Sequence, residues 1–185
     1  LNNKSGKLVI ISGPSGVGKG TIVDCLLKKS DHIALSISCT TRTPRQGERD
    51  GVNYFFITRQ QFEELIAQNG FLEYSNHFGN YYGTPKAFVE HQLEQKDVLL
   101  EIDVDGALAA KAIYPQALLI MIAPPDKDTL YARLSGRGTE SKEVIDGRMA
   151  RAQYELSKSD KYDYVVVNDV LEDAVDRILE IIQTA

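Results

Sequence analysis

Cysteine is scarce in this chain: its 185 residues include two, Cys25 and Cys39. Two cysteines lacking metal-ligand spacing exclude both a disulfide scaffold and a structural zinc site. Cys25 falls on an apolar helix face and reads as a small buried residue. Histidine is nearly as rare, and His32, His77 and His91 read as surface or packing residues. No apolar run approaches the roughly 20 residues of a membrane span, and nothing at the start resembles a secretory signal. Positive charge is in deficit, with 21 Lys and Arg against 26 Asp and Glu and a net charge of −5. Such a chain is a poor candidate for long nucleic acids, whose affinity rests mainly on phosphate neutralisation. A small phosphorylated ligand needs only local positive charge and is not excluded. Repeats, low-complexity tracts and long linkers are also lacking. The expectation is a single cytoplasmic domain with no membrane association.

What is present is an apolar run at 8–11, then Gly13, Pro14, Ser15, Gly16, Val17, Gly18, Lys19, Gly20 and Thr21, then an apolar helix-forming stretch at 22–27. Strand, glycine-rich turn and helix in that order is the setting a phosphate-binding loop requires. Glycines at 13, 16 and 18 let successive N–H groups converge on one anion. The helix adds free N-terminal donors and the positive end of its dipole. Lys19 supplies a mobile charge for the outer phosphates. One departure stands out: the usual Ser or Thr after the lysine is Gly20. Thr21 lies about 100° further round the helix and cannot simply replace it.

Apolar patterning predicts buried strands at 8–12, 98–103, 117–122 and 163–167, and helices at 21–29, 106–113, 126–135, 141–159 and from Leu171. Ala174, Val175, Ile178, Leu179 and Ile182 form the inward stripe of the last helix. Between 33 and 82 the pattern changes to short strands, at 33–38, 53–57, 71–74 and 76–82. They surround a helix that opens on a Thr58–Gln61 capping box and stops at Gly70. Thr84 and Pro85 read as N-cap and first residue of a helix to about 95. The alternation of strands and helices argues for a layered α/β core with a parallel sheet and two insertions.

Glu101 and Asp103 lie two apart at the end of a buried strand, so they share a face. Asp103 is nearer the strand's C-terminal end, where ligands gather in open parallel sheets. An acid there helps hold magnesium in phosphate-loop proteins, or else merely caps the following helix. Arginines pair at 42 and 45, at 133 and 137, and at 148 and 151. Their rigid forks suit bidentate phosphate binding. Separate arginine clusters beside a phosphate loop imply two phosphorylated ligands, the requirement for phosphoryl transfer between nucleotides.

Ser38-Cys-Thr-Thr-Arg-Thr-Pro-Arg45 with Gly47-Glu48, then Gly79-Asn-Tyr-Tyr-Gly83, Ile122-Ala-Pro-Pro125 and Arg137-Gly-Thr-Glu140, resemble the guanylate kinase family over nearly the whole chain. The resemblance implies a three-layer P-loop NTPase core (about 1–35, 97–136 and 160–185), a small, mainly antiparallel GMP-binding insert (about 36–96) and a helical lid (about 137–159). It implies magnesium-dependent transfer of the γ-phosphoryl of ATP to GMP or dGMP. By position, Gly13 to Thr21 and Asn168 would bind ATP. Arg42, Arg45, Tyr54 and Tyr82 would hold the GMP phosphate, while Ser38, Glu73 and Thr84, with Asp103 close by, would read guanine. Lys19, Arg133, Arg137 and Arg148 would be catalytic, and Asp103 would reach Mg2+ directly or through water. Arg151 has no role fixed by the motif. The alternatives are a non-catalytic guanylate-kinase-like protein-binding module and a kinase for another nucleoside monophosphate.

Overall fold

The structure is a computed structural model and describes residues 6–77, 79–136 and 141–185. Five strands, β1 (Leu8–Ser12), β2 (Ile33–Leu35), β7 (Asp97–Glu101), β8 (Leu118–Ala123) and β9 (Tyr164–Val167), form a parallel sheet in the order β2-β7-β1-β8-β9. Alternation along β1 explains the layering. Val9 and Ile11 face α1 (Lys19–Lys29) and α7 (Leu171–Thr184), while Leu8 and Ile10 face α3 (Lys86–Leu93) and α4 (Val104–Ile113). A strand apolar on both faces must be covered on both, which is the physical basis of the three layers.

A second sheet, in the order β4-β3-β6-β5, comprises β3 (Cys39–Thr40), β4 (Phe55–Phe56), β5 (Phe71–His77) and β6 (Asn80–Pro85). Its pairings are antiparallel apart from β3 with β4. Helix α2 (Arg59–Ala67) covers it, with Phe62 stacked on Phe71 at 4.3 Å and on Tyr81 at 5.1 Å between ring centroids. The expected capping box forms: the Thr58 side chain accepts from the Gln61 backbone N–H, and the Gln61 side chain accepts from that of Thr58. Helix α5 (Lys127–Ser135) and helix α6 (Lys142–Leu156) share a satellite cluster of Leu130, Leu134, Ile145 and Ala152.

Several element ends differ from expectation for identifiable reasons. Helix α1 begins at Lys19 because Gly18 takes the left-handed N-cap position. Strand β2 stops at Leu35, and Cys39 and Thr40 pair in the other sheet instead. Strand β7 ends at Glu101, so Asp103 lies beyond the strand as the N-cap of α4. Thr84 is a buried residue of β6, so Pro85 is the N-cap of α3 and Lys86 its first residue. Helix α3 buries Val89 and Leu93 against the parallel sheet, while its Phe88 meets Phe55 of β4 edge-on at 5.1 Å, so it bridges the two sheets. In α7, Ile181 is buried where Leu179 was expected, and Leu179 is only partly covered.

The loop between β1 and α1 is fixed by close approach. At Gly13, φ is +145° and an added Cβ would stand 2.3 Å from the Ile122 carbonyl oxygen. Gly47, with φ +87°, has open space around the same position. Gly13→Ala is expected to lower the unfolding free energy by roughly 3 kcal/mol, and Gly47→Ala by only about 1 kcal/mol. Urea unfolding of the two variants checks this; equal losses would show that contact with β8 does not constrain the loop.

Candidate functional site

The phosphate loop lies at the C-terminal end of the parallel sheet, as ligand sites do in open α/β sheets. Gly16 and Gly18 have φ of +82° and +94°. A Cβ at Gly16 would meet Leu134 Cδ2 at 2.8 Å, and one at Gly18 would meet Asn168 Nδ2 at 2.6 Å. Helix α1 has neither a side-chain cap nor an acid in its first turn. Its N–H donors and dipole therefore remain available to an anion. Lys19 donates through Nζ to the carbonyls of Gly13 (2.6 Å) and Pro14 (3.0 Å). Burial pulls its pKa below the usual lysine value, and the negative charges of Glu101, Glu155 and Asp103 oppose that shift.

Asn168 has a structural task here. Its buried amide nitrogen donates to the Val17 carbonyl at 2.8 Å, while its own backbone carbonyl accepts from both terminal nitrogens of Arg133 at 3.1 Å. It thus ties α5 to the phosphate loop, with one N–H of its amide committed to the protein backbone. Arg148 is half-buried on α6. Arg137 lies outside the described residues. Ser15, Gly20 and Thr21 are exposed, while Pro14 and Val17 are buried beneath the loop.

In the second sheet Arg42 meets Glu48 in a two-pronged ion pair, with Nη2–Oε1 at 2.9 Å and Nη1–Oε2 at 3.0 Å. The backbone N–H of Arg45 donates to the same Glu48 carboxylate at 2.7 Å. Arg42 also lies over the Tyr54 ring at 5.6 Å, and Tyr54 meets Tyr82 edge-on at 6.0 Å. Arg42, Tyr54 and Tyr82 are therefore one cluster, with Arg45 exposed at its edge. Hydrogen bonds from Arg42 and from the Arg45 backbone hold the Glu48 carboxyl below the usual range.

Glu73 and Thr84 come together from neighbouring strands, the Thr84 hydroxyl donating to Glu73 Oε1 at 2.5 Å. Both are buried. At the first turn of α4, a Cβ on Gly106 would lie 3.2 Å from Glu73 Oε2 and 3.2 Å from Asp103 Oδ1. Glu73 and Asp103 thus flank Gly106, which leaves room for both carboxylates. Asp103 Oδ1 accepts from the Gly106 N–H at 2.7 Å. Its expected place on the face of β7 is therefore corrected to that of a helix-capping acid. Ser38, Tyr54, Thr84 and Glu101 line one small cleft of about 130 Å³. A larger cleft of about 640 Å³ runs between Tyr74, Ser75 and His77 on one side and Asp103, Asp105, Gly106, Arg151 and Glu155 on the other. Glu101 links the two halves of the site, because it also stands 3.9 Å from where Gly20 would carry a Cβ.

The guanylate kinase profile matches residues 5–185 of the chain. The chain belongs to the guanylate kinase family. A guanylate kinase of Halalkalibacterium halodurans is 48% identical, over 98% of this chain and 90% of that protein. The crystal structure of guanylate kinase from Anaplasma phagocytophilum superposes with a TM-score of 0.74 at 32% identity, covering 98% of this chain and 86% of that one. Shikimate kinase from Bacteroides thetaiotaomicron, at 13% identity and a TM-score of 0.51 over 96% of this chain and 98% of that one, shares the fold alone.

This guanylate kinase family chain also uses residues that its motifs did not single out. Tyr162, reaching under the sheet, hydrogen-bonds through its hydroxyl to Ser12, the residue before the phosphate loop. Burial pushes the phenol up to about 12. Only the apolar surroundings of Ser12 in sequence could have hinted at a partner. Glu48 was visible within a motif, yet its carboxylate between two arginines required the turn at Gly47.

Burial raises the pKa of Glu73, with the Asp103 charge adding to it and the Thr84 hydroxyl opposing it. A carboxyl whose native pKa is raised is penalised in the folded state once it ionises. Glu73→Gln is therefore expected to raise the melting temperature at pH 7. That gain should shrink as pH falls and vanish below the ordinary glutamate value of about 4.3. Melting curves of both proteins from pH 4 to 8 check the sign; a variant destabilised at pH 7 relative to pH 4 would contradict it.

Proposed function

We propose that the protein is an ATP:GMP phosphotransferase, converting ATP and GMP or dGMP to ADP and GDP or dGDP. The observation that carries this reading is the buried Glu73 carboxylate, braced by Thr84 and set against the start of α4. Guanine offers two adjacent N–H donors to such a group. Adenine offers an acceptor at the equivalent ring nitrogen and leaves the carboxylate unpaired, a mismatch that discriminates strongly. Ser38 and Thr84 supply hydroxyls to the base, with Asp103 beside them. Arg42, Arg45, Tyr54 and Tyr82 take the GMP phosphate, and residues 13–21 take the phosphates of ATP.

A GMP phosphate oxygen attacks the γ-phosphorus in line, and the bond from that phosphorus to the β–γ bridging oxygen breaks. The second phosphate pKa is about 6, so the nucleophile is mostly dianionic at neutral pH and needs no general base. The chain's contribution is to position both phosphates and to spread negative charge as it moves toward ADP. Lys19, Arg133, Arg137 and Arg148 do this. To reach the γ-phosphoryl, Lys19 exchanges its bonds to the Gly13 and Pro14 carbonyls for phosphate oxygens.

Mg2+ fits as an ion held mainly by ATP oxygens and water. Among the described residues no group of three side chains could hold a metal by itself, and Gly20 brings no hydroxyl. Asp103 and Glu101 are the carboxylates available to its waters. When bound, the ion would neutralise charge on the β- and γ-phosphates.

ADP release should be rapid with GMP and dGMP and near background with AMP and UMP. AMP turnover equal to GMP turnover would defeat the assignment of Glu73, and no turnover with any of the four would favour a protein-binding module. Lys19→Met should lower kcat on the order of 10²- to 10³-fold with the fold retained by circular dichroism. Asp103→Asn preserves the capping oxygen while removing charge, so it should raise the magnesium concentration needed for half-maximal rate. An unchanged magnesium titration would remove Asp103 from that role.

A further inference from the structure

Helix α6 touches α5 through a small cluster, in which Ile145, Met149 and Ala152 meet Leu130 and Leu134. Leu156, the last residue of α6, also packs against the core beside Tyr162, so the roll of the helix is set near its C-terminal end. A polar attachment lies beside this end of α6, on the first turn of α4. Arg151 Nη2 donates to Asp105 Oδ2 at 2.8 Å, and the Tyr154 hydroxyl donates to Asp105 Oδ1 at 2.8 Å. Each oxygen of one carboxylate is thus held by a different residue of α6. The Arg151 guanidinium packs over the Tyr154 ring at 4.9 Å, with Lys158 over the same ring at 5.0 Å. Arg151 Nε donates in addition to Glu155 Oε1 at 3.0 Å.

We infer that Arg151 is a positioning residue, which with Tyr154 and Asp105 pins the roll of α6 and so sets the direction in which that helix presents Arg148. Arg148 lies three residues upstream, less than one turn and about 4.5 Å along the axis. A roll of α6 therefore carries it sideways, and misplacement by about 1 Å can cost up to 10²-fold in rate. The turn of α4 that holds the clamp also carries Gly106, against which Glu73 lies. The side chain proposed to read guanine and the helix bearing Arg148 are consequently registered on the same four residues. The Arg151–Asp105 pair by itself adds little to folding, its side chains being 48% and 51% exposed, whereas the bond from Arg151 to the buried Glu155 has a structural share that the kcat readout must be separated from.

This inference rests on the proposed placing of Arg148 on the transferring phosphoryl, so Arg148→Ala is measured alongside. Steady-state kinetics with ATP and GMP are compared for Arg151→Ala, Arg151→Lys, Asp105→Asn and the Arg151→Ala/Asp105→Asn double variant. Calorimetric titration with GMP verifies that each is folded. Arg151→Ala should lose roughly 10-fold in kcat, with KM for GMP within two-fold of the parent. Arg151→Lys should recover part of the loss, since one ammonium can hold Asp105 but cannot hold Glu155 as well. The double variant should be no worse than Arg151→Ala, because both substitutions break the same bond. A kcat within two-fold of the parent for Arg151→Ala, losses that add in the double variant, or a change confined to KM overturns the inference. Full kcat in Arg148→Ala overturns its premise instead. Should Arg151→Ala fail to bind GMP, Asp105→Asn decides the matter, and a kcat for it within two-fold of the parent overturns the inference.

Discussion

The site depends on a backbone that cannot relax. Three glycines of the phosphate loop each press on a different element: Gly13 on the Ile122 carbonyl of β8, Gly16 on Leu134 of α5, and Gly18 on the Asn168 amide after β9. All three have positive φ, so their freedom from a Cβ is used twice, once in the torsion and once in the approach. The loop therefore acts as a joint between strand, helix and loop. Asn168 makes the joint tighter, since one residue bonds the loop through its amide and Arg133 through its carbonyl. Arg133, one of the proposed phosphoryl-binding arginines, is thereby set relative to the loop by two hydrogen-bonded links.

A comparable economy governs charge. Lys19 is occupied by the carbonyls of its own loop, and Arg42 by Glu48, so the cations do not face one another unpaired. Glu48 in particular spans the Arg42 guanidinium and the Arg45 N–H in the way a phosphate's oxygens can. On the proposed reading, GMP brings a dianion to a site already folded around an anion. Little conformational entropy then remains to be lost by Arg42 when the nucleotide binds.

Much of this was legible in sequence because the informative features are local. The apolar strand at 8–12, the Thr58–Gln61 box and the glycine spacing each depend on residues within one turn or one strand, and these take their expected place. Features that failed depend on competition between distant groups. Thr84 has the chemistry of an N-cap, but its hydroxyl is drawn to Glu73 across the hairpin, eleven residues away. The bond from Asn168 to the phosphate loop could not be read either, since its partner is 151 residues distant. Arg151 belongs to the same class, since spacing on one helix says nothing about an aspartate on another.

Asp103 and Gly20 show how the two kinds of information combine. An acid after a buried strand can hold a metal or cap a helix, and no pattern in the chain separates the two. The structure commits one oxygen of Asp103 to the cap and leaves the carboxylate beside Glu73. Gly20 lacks the hydroxyl usual after the loop lysine, although space is not the reason. Among the described residues, leaving aside the helix backbone and chain neighbours, the atom within 4 Å of a Cβ there is Glu101 Oε1, at 3.9 Å. A glycine in the first turn costs helix stability of about 1 kcal/mol relative to alanine. It leaves the Glu101 carboxylate uncovered beside Lys19, where a serine hydroxyl would be a competing donor. A carboxylate oxygen from β7 thus faces the position where a side-chain hydroxyl on α1 would stand, and the departure in the loop and the acid at the strand end belong to one arrangement.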